Sequence, residues 1–419
     1  MTPLVALLTT VGTVILGAIV VYAARHYVFA MVRVFTPSND LYCDIEDADW
    51  PTVTVQIAAH NEEDVIAHCL DALLHSSYPR DRLVLMPVND RSSDRTRQII
   101  DEYAARYPGR ITPFHRSDGK PGKAAALKDA FALVRSDLLV VFDADYIPSR
   151  GLVKRLVAPF FDPEVGAVMG RVVPLNAGRN LLTRLLEIER SGGYQVNQQA
   201  RQQLGLVPQY GGTTGGLRVS ALRGIGGWHD DTLAEDTDVT YRLLLAGWNT
   251  AYQNRAECYE EVPETWQTRI RQIKRWAKGH NQALRRHLWA LLRSPRVTLR
   301  EKIDGTLLLG VYVMAPLLLV AWVILVALYY LGALLFADAV LAMIFIFTYG
   351  SLGNFGAFFE LSAGIHLDRQ RGNARLLPFM MLGFTVSVIA VSASIFSSLR
   401  DALSKRELTW HRTERFRKQ

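Results

Sequence analysis

The sequence predicts an open, mostly parallel α/β domain that lies between an apolar N-terminal helix and a group of apolar C-terminal helices. Residues 1–24 carry no charge, and three further uncharged runs occupy residues 305–337, 339–359 and 376–399. Between these ends, residues 37–262 have a globular composition, and strand patterns alternate there with helical patterns. Such alternation is typical of a sheet whose strands are connected by helices.

The chain has 419 residues and a net charge of +7, and only 21% of its residues are charged. This composition excludes a disordered or fibrous protein. Its three cysteines are too few and too scattered for a disulfide framework or a zinc cluster, so we expect a reducing, cytosol-facing domain. The basic charge suits nucleic acid, an anionic membrane surface or a phosphate-bearing substrate. Nucleic acid does not account for the apolar runs, and we expect no nucleic-acid partner.

The first uncharged run is long enough to cross a bilayer, because about 20 apolar residues span the hydrocarbon core as a helix. Arg25, His26 and Arg33 follow it directly. A cleaved signal peptide begins with a positive segment, which this N-terminus lacks, so we expect a retained anchor. By the positive-inside rule, the N-terminus lies outside and the following domain lies in the cytosol.

The C-terminal runs predict a hairpin of two spans and one further apolar helix. Only Asp338 separates the first two runs. The third run, 376–399, is rich in serine, and basic segments flank it on both sides. A full crossing would put one basic segment outside, so the positive-inside rule favours an interfacial or re-entrant helix. A fourth complete span passes the length test equally well.

Three predicted strands position the candidate site. Val53–Ala58, Leu83–Val88 and Leu138–Phe142 are β-branched or continuously apolar runs, and Glu62–Leu74 and Ser93–Arg106 have helical patterns. Ligands bind such sheets at the carboxyl ends of the strands. The residues that follow the three strands therefore share one rim, and aspartates follow two of the strands.

Asp143 and Asp145 directly follow the third strand. Two carboxylates one residue apart can share a divalent cation, and Mg²⁺ or Mn²⁺ prefers carboxylate oxygens together with substrate phosphates. Asp90 ends the second strand, where it can accept hydrogen bonds from a base ring, although a helix-capping loop is the alternative for this segment.

Two glycine-rich segments and an acidic helix start come next. Arg116–Lys123 is a basic turn whose amides and lysines suit a diphosphate, although it lacks the spacing of a P-loop. The glycines within 211–216 allow the backbone to approach a ligand closely. The acids within 234–238 suit a helix N-terminus, and one of them can also serve as a general base.

The segment 269–279 is strongly basic. An amphipathic helix on the membrane surface explains that charge. It does not explain Gln272, which suits hydrogen bonds to a sugar or a pyrophosphate, or Trp276, which suits stacking on a sugar ring. We therefore expect this segment to contribute to the site.

Taken together, these motifs resemble the membrane-integrated processive glycosyltransferases of family 2, the group of cellulose, hyaluronan and chitin synthases. That family's pattern is three separated aspartate motifs followed by Q-x-x-R-W. The matching residues here are Asp90, Asp143 with Asp145, Asp236, and Gln272-Ile273-Lys274-Arg275-Trp276. The resemblance implies an α/β fold of the GT-A type that faces the cytosol. This catalytic domain is inserted between the N-terminal transmembrane helix and the C-terminal transmembrane or interfacial helices.

The resemblance also implies roles for individual residues. Asp90 contacts the uracil of a UDP-sugar, Asp143 contacts the donor diphosphate or sugar, and Asp145 binds Mg²⁺ or Mn²⁺. Asp236 is the general base that deprotonates the acceptor hydroxyl. The reaction is a single inverting displacement in which Arg275 and the metal stabilise the leaving UDP.

Other residues are assigned to substrate binding. Within the domain they are Lys123, Glu235, Gln272, Arg275 and Trp276. The C-terminal tail is similar to the gating loop of cellulose synthases, which folds over bound UDP. Its matching residues are Trp410, Arg412, Thr413 and Arg415. A gating loop must be cytosolic, which supports a non-crossing run at 376–399.

We predict a transmembrane helix at 1–34, a GT-A domain at 35–262, amphipathic interface helices at 263–300, transmembrane and interfacial helices at 301–400, and a basic cytosolic tail at 401–419. The leading hypothesis is a polysaccharide synthase in the cell membrane that extends a β-linked glycan from a nucleotide sugar. Membrane lipid and accessory export or regulatory subunits are its expected partners. An enzyme that glycosylates a lipid once is the alternative, and a non-catalytic glycan-export subunit is the second alternative.

Overall fold

The computed structural model describes residues 2–36, 45, 48–334, 338, 340 and 354–404. The strands β1 to β8 are, in chain order, Val53–Ala59, Leu83–Asp90, Phe114–Arg116, Leu138–Asp143, Ile147–Pro148, Val165–Pro174, Gly215–Arg218 and Asn249–Glu260. They form one mixed sheet of eight strands in the order β3-β2-β1-β4-β7-β6-β8-β5. This sheet is the centre of the α/β domain.

The strands β1, β2 and β4 lie where the sequence predicts them. β1 pairs in parallel with both β2 and β4, so Ala59 lies opposite Asn89 and Ala58 lies opposite Asp143. The side chains of Val140 and Val141 belong to two different buried clusters, one on each face of the sheet. Burial on both faces accounts for the continuously apolar sequence of these strands.

The other half of the sheet contains antiparallel pairs that the sequence analysis did not predict. β7 pairs antiparallel with β4 and β6, and β5 pairs antiparallel with β8. β7 is four residues long and begins with two glycines, so it has no strand pattern in the sequence. A Cβ atom at Gly215 would lie 2.6 Å from the ring of Tyr210, so this strand requires glycine. The sheet is therefore mixed, with a parallel half and a mostly antiparallel half.

Helices cover the sheet and extend beyond it. The helices α1 to α14 are, in chain order, Pro3–Phe35, Ile66–Leu74, Thr96–Arg106, Lys123–Phe131, Leu152–Val157, Leu181–Ser191, Gln199–Gln203, Val219–Gly224, Glu235–Ala246, Trp266–Arg293, Leu299–Leu309, Met314–Tyr330, Asn354–Leu367 and Met380–Ser404. The π-helix Gly192–Gln198 joins α6 to α7. The helices α2 and α3 begin later than predicted, because the Asp94 carboxylate accepts hydrogen bonds from the amides of Glu63 and Thr96 and holds both preceding loops.

Among the described residues, three helices are long and apolar enough to cross a membrane: Pro3–Phe35, Val311–Tyr330 and Arg371–Ile395. They indicate that the protein associates with a membrane. The predicted span at 305–337 begins later in the structure, because residues 305–309 still belong to α11, and Leu308 and Leu309 pack on Tyr241 of the α/β domain. Most of the predicted span at 339–359 lies outside the described residues.

The apolar run at 376–399 forms most of α14, which lies along the basic helix α10. Ala390 and Val391 pack against Ile273 and Ala277 in one buried cluster. The loop before α14 is also tied to the α/β domain, because the Asp368 carboxylate accepts hydrogen bonds from neighbouring side chains. Its donors are Arg171 at 2.6 Å, Ser191 at 2.5 Å and Gln195 at 2.6 Å. These contacts connect α14 to the α/β domain, and whether this helix lies in the interface or crosses the bilayer stays a prediction.

Candidate active site

A cavity of about 880 Å³ lies beside the carboxyl end of β4. Eight of the residues that the sequence assigns to the site line it. They are Lys123, Asp143, Asp145, Glu235, Asp236, Gln272, Arg275 and Trp276. These residues come from segments far apart in the chain, so it is the fold that brings them together.

Lys123 is the first residue of α4, and its ammonium group lies among the carboxylates of the cavity. Its Nζ atom is 2.6 Å from Oδ1 of Asp143 and 3.8 Å from Oε1 of Glu235, and it donates a hydrogen bond to the Gly212 carbonyl. Burial opposes its charge, but the two carboxylates raise the pKa of Lys123 above its ordinary value. Lys123 is therefore a permanent cation beside the acidic rim.

Glu235 and Asp236 begin α9, where the helix dipole favours carboxylates. Oδ1 of Asp236 accepts a hydrogen bond from the Thr237 amide at 2.6 Å. Burial raises the pKa of Glu235 to about 7; Lys123 opposes this shift, and the charge of Asp236 adds to it. Both adjacent carboxyl groups line the cavity.

The glycine-rich segment at 211–216 contacts both the start of α9 and the end of β4. Gly212 has a φ of +69°, and a Cβ atom there would lie 3.1 Å from Cβ of Asp236. The next residue, Thr213, accepts a hydrogen bond from the Asp143 amide at 3.2 Å. This segment therefore gives the Asp236 side chain room and fixes the end of β4.

Asp90 lies behind the wall of the cavity and is only 6% exposed. Oδ1 accepts hydrogen bonds from Arg116 at 2.7 Å and from Arg91 at 3.0 Å, and Oδ2 accepts one from the Gly122 amide at 3.0 Å. The Asp90 carboxylate thus holds the glycine-rich turn that leads to Lys123. Its direct contact with a base stays a prediction.

The helix α10 supplies the remaining predicted residues. The Gln272 amide oxygen accepts a hydrogen bond from Arg269 at 2.8 Å. The guanidinium groups of Arg190 and Arg269 lie 5.4 and 5.3 Å from the ring centre of Trp276. Cation–π contacts of this kind hold an indole in place, so the ring is fixed in the cavity wall.

The structure also shows a buried group that the sequence analysis missed. Glu260 ends β8 and lines the cavity, where it accepts hydrogen bonds from the Tyr146 hydroxyl at 2.8 Å and from Arg190. Tyr194, on the π-helix, lines the same cavity, and π-helices are frequent at functional sites. The one sequence signal for this group is the acidic pair Glu260-Glu261, which follows a segment that contains two tyrosines, Tyr252 and Tyr259.

The predicted gating residues do not belong to the described structure. Trp410, Arg412, Thr413 and Arg415 all lie outside the described residues. Their contact with a bound nucleotide stays a prediction.

The cavity suits a divalent cation that arrives with a phosphate ligand. Carboxylates from several segments surround Lys123, and the raised pKa of Glu235 reflects their concentrated negative charge as well as its burial. Among the described residues, however, no three His, Cys, Asp or Glu side chains are grouped as a ready-made metal site. Mg²⁺ and Mn²⁺ commonly bind one or two carboxylates and complete their coordination with substrate phosphates and water. Asp143 and Asp145 fit that mode of binding.

Comparisons with known proteins find a family match and several relatives. The family described as "Glycosyltransferase like family 2" matches residues 51–279. The probable glycosyltransferase YdaM of Bacillus subtilis is 31% identical, over 87% of this chain and 87% of its own length. Glucomannan 4-beta-mannosyltransferase 7 of Arabidopsis thaliana is 30% identical, over 63% of this chain and 48% of that protein. The chain thus aligns with about half the length of this plant relative.

A solved structure has the same fold. The mannosyltransferase PcManGT from Pyrobaculum calidifontis, in complex with GDP-Man and Mn²⁺, is 23% identical and has a TM-score of 0.58. The match covers 86% of this chain and 97% of that one. This likeness supports a GT-A-like α/β fold for the chain.

Proposed function

The chain belongs to the glycosyltransferase-like family 2, and we propose that this enzyme is an inverting membrane glycosyltransferase that extends a β-linked polysaccharide from a nucleotide sugar. One observation carries the proposal. Asp236 lines the same cavity as Lys123, Arg275 and Trp276, so a carboxyl group, two basic side chains and an aromatic ring surround one space. These are the groups that such a transfer requires.

In the proposed reaction, the acceptor hydroxyl loses its proton to Asp236 as its oxygen attacks the anomeric carbon of the donor sugar. The bond from that carbon to the diphosphate oxygen breaks, and the nucleoside diphosphate leaves with the electron pair. Attack from the face opposite the leaving group inverts the anomeric configuration. Lys123 and Arg275 offset the negative charge that develops on the diphosphate.

A divalent cation is part of the proposal. Asp145 would hold it, with Asp143 beside the donor diphosphate or sugar. When bound, Mg²⁺ or Mn²⁺ supplies charge neutralisation at the leaving phosphates. The solved mannosyltransferase of similar fold contains Mn²⁺, which supports this choice of metal.

Two donor classes are supported by different observations. The resemblance to cellulose and hyaluronan synthases favours a UDP-sugar. The plant relative is named as a mannosyltransferase, and the mannosyltransferase of similar fold was solved with GDP-Man, so GDP-mannose is the second class. We place the catalytic domain on the cytosolic side of the cell membrane, where nucleotide sugars are made.

A donor panel tests the function. Purified full-length protein in nanodiscs receives Mn²⁺ and, separately, UDP-glucose, UDP-N-acetylglucosamine, UDP-glucuronate or GDP-mannose. We expect nucleoside diphosphate release from one donor class and a polymer whose length grows with time. If the product is instead a lipid that carries one sugar, the enzyme makes a glycolipid and does not extend a polymer. Binding of a donor without any transfer to polymer or lipid would contradict the catalytic proposal.

The pH dependence of metal binding tests the role given to the acidic rim. Because the pKa of Glu235 is raised to about 7, this side chain is mostly neutral at pH 6 and mostly anionic at pH 8. Its negative charge favours a cation at Asp143 and Asp145, so Mn²⁺ affinity should rise about tenfold from pH 6 to pH 8. The free Mn²⁺ signal in electron paramagnetic resonance measures this affinity.

Glu235→Gln removes the titrating group and should make Mn²⁺ affinity nearly independent of pH over this range. Glu102→Gln is the matched control, because Glu102 is an exposed residue of α3 that accepts a hydrogen bond from Gln98. An unchanged pH profile in Glu235→Gln would show that another group controls metal binding.

A further inference from the structure

The ring of Trp276 lies against two arginines, and each arginine is paired with a glutamate. The guanidinium carbons of Arg190 and Arg269 are 5.4 and 5.3 Å from the ring centre. Nε of Arg190 donates a hydrogen bond to Glu260. Nη2 of Arg269 lies 2.5 and 2.7 Å from the two carboxylate oxygens of Glu189. Two positive and two negative side chains balance one another, so the charges of this cluster are paired within the protein.

The ion pair formed by Glu260 is the more buried of the two. The Glu260 side chain is 8% exposed, whereas that of Glu189 is 39% exposed. Oε1 of Glu260 accepts the hydrogen bond from Arg190, and Oε2 accepts one from the Tyr146 hydroxyl at 2.8 Å. Burial and the charge of Glu260 raise the pKa of Tyr146 well above its ordinary value, so the hydroxyl remains a donor. Both oxygens of Glu260 are therefore held, and water screens its charge little.

Arg190 connects this fixed carboxylate to the indole ring. A planar guanidinium can donate a hydrogen bond to a carboxylate while it lies on an aromatic ring. Burial opposes the charge of Arg190, but the charge of Glu260 raises the pKa of Arg190 above its ordinary value. Without that carboxylate, Arg190 would lose its buried counter-charge, which is strongly unfavourable. The position of Arg190, and with it that of Trp276, therefore depends on Glu260.

The same network reaches other residues that the sequence assigns to the site. Tyr146 directly follows Asp145, and Arg269 donates a hydrogen bond to Gln272 at 2.8 Å. Tyr146, Glu260 and Trp276 all line the catalytic cavity. Glu260 thus links the end of β4, through Arg190 on α6, to the ring on α10.

We propose that Glu260 is a positioning residue for the sugar acceptor. It holds Arg190 against Trp276, and this contact sets the orientation of the indole ring that the end of the growing glycan meets. The inference rests on the proposed function, because the contact of Trp276 with a sugar belongs to that function. Loss of the Glu260 carboxylate therefore weakens acceptor binding and leaves nucleotide binding intact.

Fluorine NMR of the full-length protein in detergent tests this role without any turnover. The chain contains 8 tryptophans, so 5-fluorotryptophan is incorporated and the Trp276 resonance is assigned by its loss in Trp276→Phe. The probes are the β-1,4-linked tetrasaccharides of glucose and of mannose, because a plant relative is named as a glucomannan 4-beta-mannosyltransferase. We expect at least one of them to shift the Trp276 resonance of the wild type, and the shift gives its Kd.

Glu260→Gln should move the Trp276 resonance of the free protein and raise the tetrasaccharide Kd about fivefold, which is the size of one cation–π contact. Binding of UDP or GDP, whichever the wild type binds, should stay within a factor of two. A residue that only maintained the fold would weaken both kinds of binding. Arg190→Lys keeps the charge of the ion pair, and so protects folding. It should change the resonance and the Kd in the same direction, because an ammonium group lacks the plane that lies on the ring.

Glu257→Gln is the matched control. Glu257 lies on the same strand, pairs with Arg171 at 3.3 Å and has a side chain that is 37% exposed outside the cavity. The control should leave the resonance and the Kd unchanged. An unmoved Trp276 resonance in both Glu260→Gln and Arg190→Lys would overturn the proposal. So would an equal change in Glu257→Gln, or a wild type that responds to neither tetrasaccharide. Absence of transfer in the donor panel would count against the proposed function and not against this positioning role.

Discussion

Asp236→Asn is expected to lower the rate of sugar transfer by about 10³-fold while leaving donor affinity within a factor of two. The loss is the usual contribution of a general base, because asparagine cannot take the proton of the acceptor hydroxyl. Its amide oxygen still accepts the hydrogen bond that the Thr237 amide donates to Asp236, so the start of α9 is preserved. Release of nucleoside diphosphate measures the rate, and quenching of tryptophan fluorescence measures donor binding.

Asp101→Asn is the matched control for this experiment. Asp101 lies on α3 and is half exposed, and its partners are Arg97 and His115 at the surface. The same substitution there should leave transfer unchanged. Transfer by Asp236→Asn within tenfold of the wild type would place the base elsewhere in the cavity, with Glu235 and Glu260 as the next carboxylates to test.

The parallel half of the domain was predictable because each of its features is local in the sequence. The strands that end at Ala59, Asp90 and Asp143 are buried on both faces, and their sequences are therefore mostly apolar. Parallel pairing then places their ends at one edge without any further information. The residues Asp143 and Asp145 were found in this way, and the cavity contains them.

Other features depend on contacts between segments far apart in the chain, and a local sequence pattern does not predict such contacts. Asp90 has the sequence position of a ligand-binding residue, but Arg116 and the Gly122 amide use its carboxylate within the structure. Glu260 is buried only because β8 pairs with β6 and brings it to Arg190. These long-range pairings decide which polar residues are held by the protein and which face the cavity.

Asp238→Asn should destabilise the protein severely, although this residue is only two positions from Asp236. Asp238 is 1% exposed and joins α9 to α10. Oδ1 accepts a hydrogen bond from His287 at 2.8 Å, and Oδ2 accepts one from Arg242 at 2.7 Å. Removal of one partner from a buried ion pair leaves an uncompensated charge and costs about 3–5 kcal/mol.

We therefore expect the apparent Tm of Asp238→Asn to fall by about 10 °C in a thermal scan of intrinsic fluorescence. Asp236→Asn provides the comparison. It should lose activity and keep its Tm, whereas the Tm of Asp238→Asn should be lowered. Burial alone would raise the pKa of Asp238, but the hydrogen bond from His287 and the charge of Arg242 hold this pKa well below its ordinary value. The stabilisation is then complete above the unfolded pKa of about 4 and is lost as the pH falls below it.

The wild-type Tm should accordingly fall between pH 4 and pH 2 more steeply than that of Asp238→Asn, which lacks the titrating carboxylate. Parallel curves for the two proteins would show that Asp238 contributes no charge-dependent stability. The expected, steeper wild-type curve would show that the acids of α9 have divided roles for a simple geometric reason: one side of the helix faces the cavity and the other faces α10. A carboxylate on the cavity side is available to a substrate, while a carboxylate on the α10 side forms ion pairs and hydrogen bonds within the protein.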